Sequence, residues 1–164
     1  MQLTFIYAEE ADLERIVATY NQTVPGRMVT ADTEPVSVES KRNWFRAHNK
    51  TNRPLWIVKA DNVYAGWISF NSFYGRPAYD ITTEVSIYLD ENMRGKGIGE
   101  KCLKHALSEA PQRGIENLLG FIFGHNEASL KLFYKNGFEK WAHFPGVALM
   151  DDKRRDLIIL GKKV

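Results

Sequence analysis

Strand-like apolar runs alternate with amphipathic helical stretches along the whole 164-residue chain, which predicts an α/β fold. No repeat, low-complexity tract or Pro/Gly/Ser linker interrupts that alternation, so residues 1–164 are expected to form a single domain. The hydrophobic content of 44% suffices to bury a core at this length.

The elements follow in order. Leu3 to Tyr7 reads as a short strand, and Asp12 to Tyr20 spaces Leu13, Ile16, Val17 and Tyr20 along one helical face. Residues 21–35 form a loop, after which Ser37 is placed to cap a helix carrying Val38, Trp44 and Phe45. Leu55 to Val58 and Val63 to Phe70 read as strands joined through Ala60-Asp61-Asn62. An aromatic loop, Asn71 to Tyr79, leads to a strand over 81–89. A second helix presents Ile98, Cys102, Leu103, Ala106 and Leu107 as an apolar stripe and stops near Pro111 and Gly114. Leu118 to Phe123 reads as a buried strand and Ala128 to Lys135 as a helix stopped by Gly137. Phe138 to Phe144 and Leu157 to Leu160 read as the last strands.

Between the strand that ends at Leu89 and the second helix lies Arg94-Gly95-Lys96-Gly97-Ile98-Gly99. A helix N-terminus offers unpaired N–H groups and the positive end of the helix dipole, and glycines let the backbone close on a phosphate. Arg94 and Lys96 add positive charge. The spacing matches neither the Walker loop nor the dinucleotide fingerprint, which leaves a pyrophosphate cradle of another kind.

This loop resembles the Gln/Arg-x-x-Gly-x-Gly motif of the GNAT N-acetyltransferases. Asn126, Ser129 and the ending Lys135-Asn136-Gly137-Phe138 are similar to later features of that family. Arg76-Pro77-Ala78-Tyr79-Asp80-Ile81-Thr82-Thr83-Glu84 resembles the Arg-x-Ala-Tyr-x-x-Thr-x-Glu segment of its phosphinothricin and methionine sulfone acetyltransferase subgroup. Thr33-Glu34-Pro35 with Trp44 and Phe45 resembles that subgroup's early substrate loop and helix. The resemblance implies a mixed, partly splayed sheet of six or seven strands flanked by about four helices, with acetyl-coenzyme A wedged between two strands. It implies cofactor contacts from Ile87, Tyr88, Leu89, Arg94, Gly95, Lys96, Gly97, Ile98, Gly99, Glu100 and Asn126. It also implies a small amine substrate and, commonly, a homodimer.

Acetyl transfer to an amine needs a base, a polarised carbonyl and a proton for the leaving thiolate. Period-two alternation sets Glu84, Ser86 and Tyr88 on one strand face and Val85, Ile87 and Leu89 on the other. Glu84 is thus the candidate base, the alternative being a salt-bridged edge carboxylate. A bulge near Ile87 to Leu89 is expected to free N–H groups for the carbonyl. Where the family places a Tyr or His four residues before the Gly-Phe turn, this chain has Phe133, and Val147-Ala148-Leu149-Met150 lacks the subgroup's late His. Water or the cofactor's own surroundings are left to protonate the thiolate. Arg76 and Tyr79 are candidates to hold an acidic substrate group, with Phe73, Tyr74, Trp44, Phe45 and Arg27 as possible pocket walls. His48 and His105 are expected to face solvent, and His143 to pack in the late sheet. His125 is set beside the family Asn.

Bulk properties restrict the partners. With 22 basic and 20 acidic residues the net charge is +2, which disfavours a nucleic-acid binder. The short basic run Lys153-Arg154-Arg155 is expected to be solvated or near the cofactor's distal phosphate. A lone cysteine, Cys102, provides neither a disulfide nor a metal set and fits a reducing cytoplasm. No apolar run has membrane-spanning length.

Overall fold

The computed structural model describes residues 1–164 and shows seven strands in one mixed sheet with four α-helices. The strands are β1 (Leu3–Tyr7), β2 (Leu55–Ala60), β3 (Val63–Ser72), β4 (Thr82–Leu89), β5 (Asn117–Phe123), β6 (Glu139–Met150) and β7 (Lys153–Lys163). The helices are α1 (Leu13–Asn21), α2 (Arg42–Arg46), α3 (Ile98–Glu109) and α4 (Glu127–Lys135). Strand order is β1-β2-β3-β4-β5-β7-β6, and only the β4–β5 pair is parallel.

That parallel pair is short. It registers Thr82 with Asn117, Thr83 with Leu118 and Glu84 with Leu119, and then the two strands part. Residues 85–89 of β4 and 120–123 of β5 therefore flank an open wedge, the splay that was expected.

Each sheet face has its own apolar layer. Trp56, Ile68, Phe70, Val85, Leu118, Ile122 and Leu160 pack with Ile98, Cys102, Leu103 and Ala106 of α3 and Phe133 of α4. On the opposite face a smaller cluster of Leu55, Ile57 and Trp67 receives Ile16 of α1. The buried Trp67 indole N–H donates to the Ile16 carbonyl at 3.0 Å, fixing α1 on the sheet.

Several sequence expectations change in detail. The Ser37 segment forms a single 3-10 turn, Glu39–Lys41, before a five-residue α2. The last two strands are much longer than their apolar runs and join as a hairpin through Asp151 and Asp152, both at positive φ (51° and 64°). Two adjacent left-handed residues give the twist that a tight hairpin needs, here without Asn-Gly. His105 of α3 lies flat on Phe5, with ring centroids 3.8 Å apart, and His48, just past the end of α2, is half-buried against Trp44 and Asn71. His143 is exposed instead of packed and bonds Asp156 at 2.9 Å.

Candidate active site

Two cavities meet at β4. The larger, about 650 Å³, occupies the wedge and is lined by residues 84–89 of β4, Phe121 to Phe123 of β5, Arg94, Gly99, Asn126, Ser129 and Phe133. The smaller, about 320 Å³, lies under α1 and α2 and is lined by Tyr20, Lys41, Trp44, Trp67, Ser69, Asn71, Glu84, Ser86 and Tyr88. Glu84, Ser86 and Tyr88 line both. The alternation read from the sequence explains this arrangement, since these three side chains point to the α1 face while their backbone borders the wedge.

The wedge exposes backbone donors without the expected bulge. The β3–β4 register is unbroken from Gly66↔Leu89 to Ser72↔Thr83, and the Asp90 N–H donates to the Ala65 carbonyl at 2.8 Å. Antiparallel alternation then turns the amides of Tyr88 and Ser86 toward β3 and those of Leu89 and Ile87 toward the wedge. With β5 splayed away, these last two face the cavity. Strand divergence supplies the donors that a bulge was expected to supply.

At the wedge mouth, Gly95 and Gly97 both adopt positive φ (73° and 78°), and Gly97 caps α3. A Cβ on either would meet no protein atom within 4 Å, so the loop is open toward a ligand. The α3 amides beginning at Ile98 and Gly99 are thereby presented to an anion. Arg94 bonds the Leu89 carbonyl through Nε at 3.2 Å, and Lys96 is exposed. The Glu100 carboxylate turns away to Lys135 (3.0 Å) and Lys104 (3.4 Å), which leaves only its backbone for a cofactor.

Asn126 is buried and serves two ends of the site. Its Oδ1 accepts from the Ser129 N–H at 3.2 Å, capping α4, while its Nδ2 donates to the Met28 carbonyl at 3.2 Å. His125 Nε2 donates to the Arg27 carbonyl at 2.7 Å, so two neighbouring residues fasten the loop after α1 over the wedge. From that loop, Thr30 and Asp32 both bond the Tyr20 hydroxyl, and burial with the Asp32 contact pushes Tyr20 up to about 12. Tyr88, stacked on Trp67 at 4.6 Å, is likewise driven upward, mainly by burial. Both phenols stay protonated at neutral pH.

Burial pushes the Glu84 carboxyl up to about 7. No positive partner offsets the loss of water, so the group changes charge near neutrality. Phe133 is buried at the wedge wall, and Tyr134 on the next helical position is 45% exposed, so neither presents a hydroxyl to the cavity. Cys102 is fully buried with its thiol pushed up to about 12, inert as a nucleophile.

The matching region of the chain, residues 10–138, fits the Acetyltransferase (GNAT) family. The chain belongs to the GNAT acetyltransferases. It is an acetyl-coenzyme A-dependent N-acetyltransferase. It is 55% identical over 163 residues to YwnH of Bacillus subtilis (strain 168), provisionally named a phosphinothricin acetyltransferase, covering 99% of each chain. It is 26% identical over 158 residues to the L-methionine sulfoximine/L-methionine sulfone acetyltransferase of Salmonella typhimurium, covering 96% of this chain and 92% of the other. The solved structure of yncA from Salmonella typhimurium with its cofactor acetyl-CoA superposes with a TM-score of 0.89 at 25% identity, over 99% of this chain and 94% of that one.

In this acetyltransferase the sequence-predicted substrate residues are not brought to either cavity. Arg76 and Tyr79 are exposed on the β3–β4 connection, where Phe73, Tyr74 and Tyr79 pack on one another with centroids 4.9–5.8 Å apart. A 3-10 turn at Pro77–Tyr79 holds them at the far end of the two strands. Arg27 is spent on Asp151 (2.9 Å) and the Val24 carbonyl (2.7 Å), whereas Trp44 does wall the smaller cavity. Arg154 and Arg155 line a third, basic cavity with Lys140, His125 and His143, across α4 from the wedge. Ser69, Asn71 and Trp67 of β3 were missed. Their signal was two polar residues at period two inside an otherwise apolar strand.

Proposed function

We propose that this enzyme acetylates the α-amino group of small amino-acid-like substrates, of the phosphinothricin, methionine sulfoximine and methionine sulfone kind, by direct attack on the thioester. The observation that carries this reading is Glu84: a carboxyl pushed by burial up to about 7, and the one carboxylate among the three side chains that line both the wedge and the smaller cavity. The names of the relatives support the substrate class.

In this reading acetyl-coenzyme A lies in the wedge with its pyrophosphate on the Arg94–Gly99 loop, its thioester near the Ile87 and Leu89 amides and its pantetheine arm past Asn126. The amine enters the smaller cavity, where Glu84 takes the ammonium proton directly or through a water. The freed amine attacks the carbonyl carbon, the two amides stabilise the developing oxyanion, and the thiolate leaves and is protonated. The Ser86 hydroxyl at the junction is bonded by the Asn71 amide and by no base, and the lone thiol of Cys102 is buried, which favours a ternary complex over an acyl-enzyme. Contacts to the substrate's polar head pass from Arg76, Tyr79 and Phe73 to Lys41, Ser69, Asn71 and Ser86.

A second copy of the chain is the proposed partner. β6 is an outer strand carrying exposed Trp141, Phe144, Val147 and Leu149, an apolar edge of the kind that associates; light scattering on the purified chain reads this directly. A cytoplasmic setting accords with the lone buried thiol.

Release of free thiol from acetyl-coenzyme A, compared across methionine sulfone, methionine sulfoximine, phosphinothricin, ordinary amino acids and a polyamine, tests the assignment. Turnover concentrated in the first three is expected. Equal or greater turnover of the polyamine overturns the substrate class, and cofactor binding without any turnover overturns the enzyme reading in favour of an acyl-coenzyme A sensor.

A further inference from the structure

His48 is the one imidazole wired into the wall of the smaller cavity. Its Nδ1 bonds the Trp44 carbonyl at 2.8 Å, and its Nε2 bonds the side-chain amide of Asn71 at 3.1 Å. The other end of that amide reaches Ser69 Oγ at 3.0 Å and Ser86 Oγ at 3.3 Å, and both serines line the cavity. A carbonyl can only accept, so Nδ1 carries a proton in every state of the ring. The ring's remaining freedom is at Nε2, and the amide answers it.

When Nε2 also carries a proton it donates to Asn71 Oδ1. The amide nitrogen then donates to both serines, and their hydroxyl protons are free to point into the cavity. When Nε2 is bare it needs a donor, so the amide turns over. Its oxygen then accepts from both serines, whose lone pairs face the cavity instead. The Nδ1 bond to Trp44 is the same in both arrangements, and the bonds that join Nε2, the amide and the two serines run in opposite directions.

We propose that His48 is a positioning residue for the acceptor substrate: through Asn71 it sets whether the Ser69–Ser86 wall donates or accepts hydrogen bonds. This rests on the reading of the smaller cavity as the amine site. A donor wall suits carboxylate, phosphinate or sulfone oxygens and an accepting wall repels them, so the imidazolium form is the one that holds such substrates. The charged groups around the network are Glu84, in register with Asn71; Lys41, on the same cavity; Arg42 and Arg46 of α2, turned to Glu10 at 3.1 and 3.4 Å; and buried Arg53, bonded to Ser72 Oγ and the Asp80 carbonyl. None of them bonds the ring. Burial alone favours the neutral ring, so a bound acidic acceptor draws a proton into the site.

Two measurements test this. The first is a 15N NMR titration of His48 in the wild type and in Asn71→Leu, where loss of the acceptor for Nε2–H should lower the His48 midpoint; an unchanged midpoint overturns the link whatever the site binds. The second is KM for methionine sulfone from pH 5.5 to pH 8, against an alkylamine without acceptor oxygens. The wild type should lose affinity for the sulfone by about fivefold or more as pH rises while the alkylamine does not. His48→Gln, which keeps a hydrogen-bonding amide but cannot titrate, should flatten that rise, as should Ser69→Ala with Ser86→Ala. A rise that survives in both variants overturns the proposal. If instead Glu84→Gln leaves thiol release untouched, the site reading fails, and the NMR titration still decides the His48–Asn71 link.

Discussion

A carboxyl group removed from water prefers its proton, and at Glu84 this preference acts on rate and on stability in opposite senses. As a base the group must be ionised, so kcat should rise with pH and level off above about 7. Glu84→Gln should lower kcat by about ten- to ten-thousand-fold at neutral pH and leave cofactor affinity nearly intact; calorimetry with coenzyme A beside the thiol assay separates the two effects. For stability, the folded-state value lies above the ordinary 4.5, so the native state holds the proton more tightly than the unfolded chain. Stability is therefore unaffected below about pH 4.5 and declines as pH rises to about 7, by about 3 kcal/mol. Glu84→Gln should accordingly melt higher than wild type at pH 8 and show no such advantage at pH 4.5. Thermal melts at the two pH values check this.

Among the elements, the strand-loop-helix unit of β4, the glycine loop and α3 was the most legible. Alternation gave the facing of Glu84, and the glycine spacing gave the open loop ahead of α3. At Gly97 the φ of 78° is one that a β-branched residue adopts only with strain, of about 1–3 kcal/mol. Because a Cβ there meets no protein atom, Gly97→Val should keep the fold while raising the Kd for coenzyme A at least about tenfold. Unchanged affinity by calorimetry would remove the loop from the cofactor site. Less legible was whatever depended on partners distant in sequence. The β6–β7 hairpin turns on two aspartates in left-handed conformation, which no turn dipeptide announces. The acceptor wall combines Ser69 and Asn71 with Glu84 through the β3–β4 register, and α2 adds Trp44, packed on Trp67. Arg76 and Tyr79 were singled out for a guanidinium and a phenol that suit an acidic group, in a segment whose end, Glu84, lines both cavities and whose beginning lines neither. A segment motif carries residues along a chain; it does not say where the chain leaves the cavity.

Across the whole molecule, the two sheet halves are joined between β4 and β5 by three residue pairs, and α3 and α4 close the same gap from one face. A ligand in the wedge makes contacts with both halves that the protein lacks by itself. Binding to the native state alone stabilises by RT ln(1 + [L]/Kd), about 2.7 kcal/mol at one hundred times Kd, which for a chain of this size is roughly 5–11 °C in Tm. Scanning calorimetry with increasing coenzyme A should show that rise. Amide exchange should show the protection concentrated along β4 residues 85–89 and β5 residues 120–123. A Tm that rises while the protection falls outside these two segments would place the cofactor elsewhere, and a Tm independent of coenzyme A would mean that it does not bind.

The parted strands also bear on how long the protein lasts. A sheet seamed by three rungs can open along that seam without wholly unfolding, and an open seam is where a protease or a sticky neighbour gains entry. Acetyl-coenzyme A bound in the wedge would close it as a thread closes a cut. The abundance of this enzyme would then follow the cell's supply of activated acetate, the same supply that sets how fast it works.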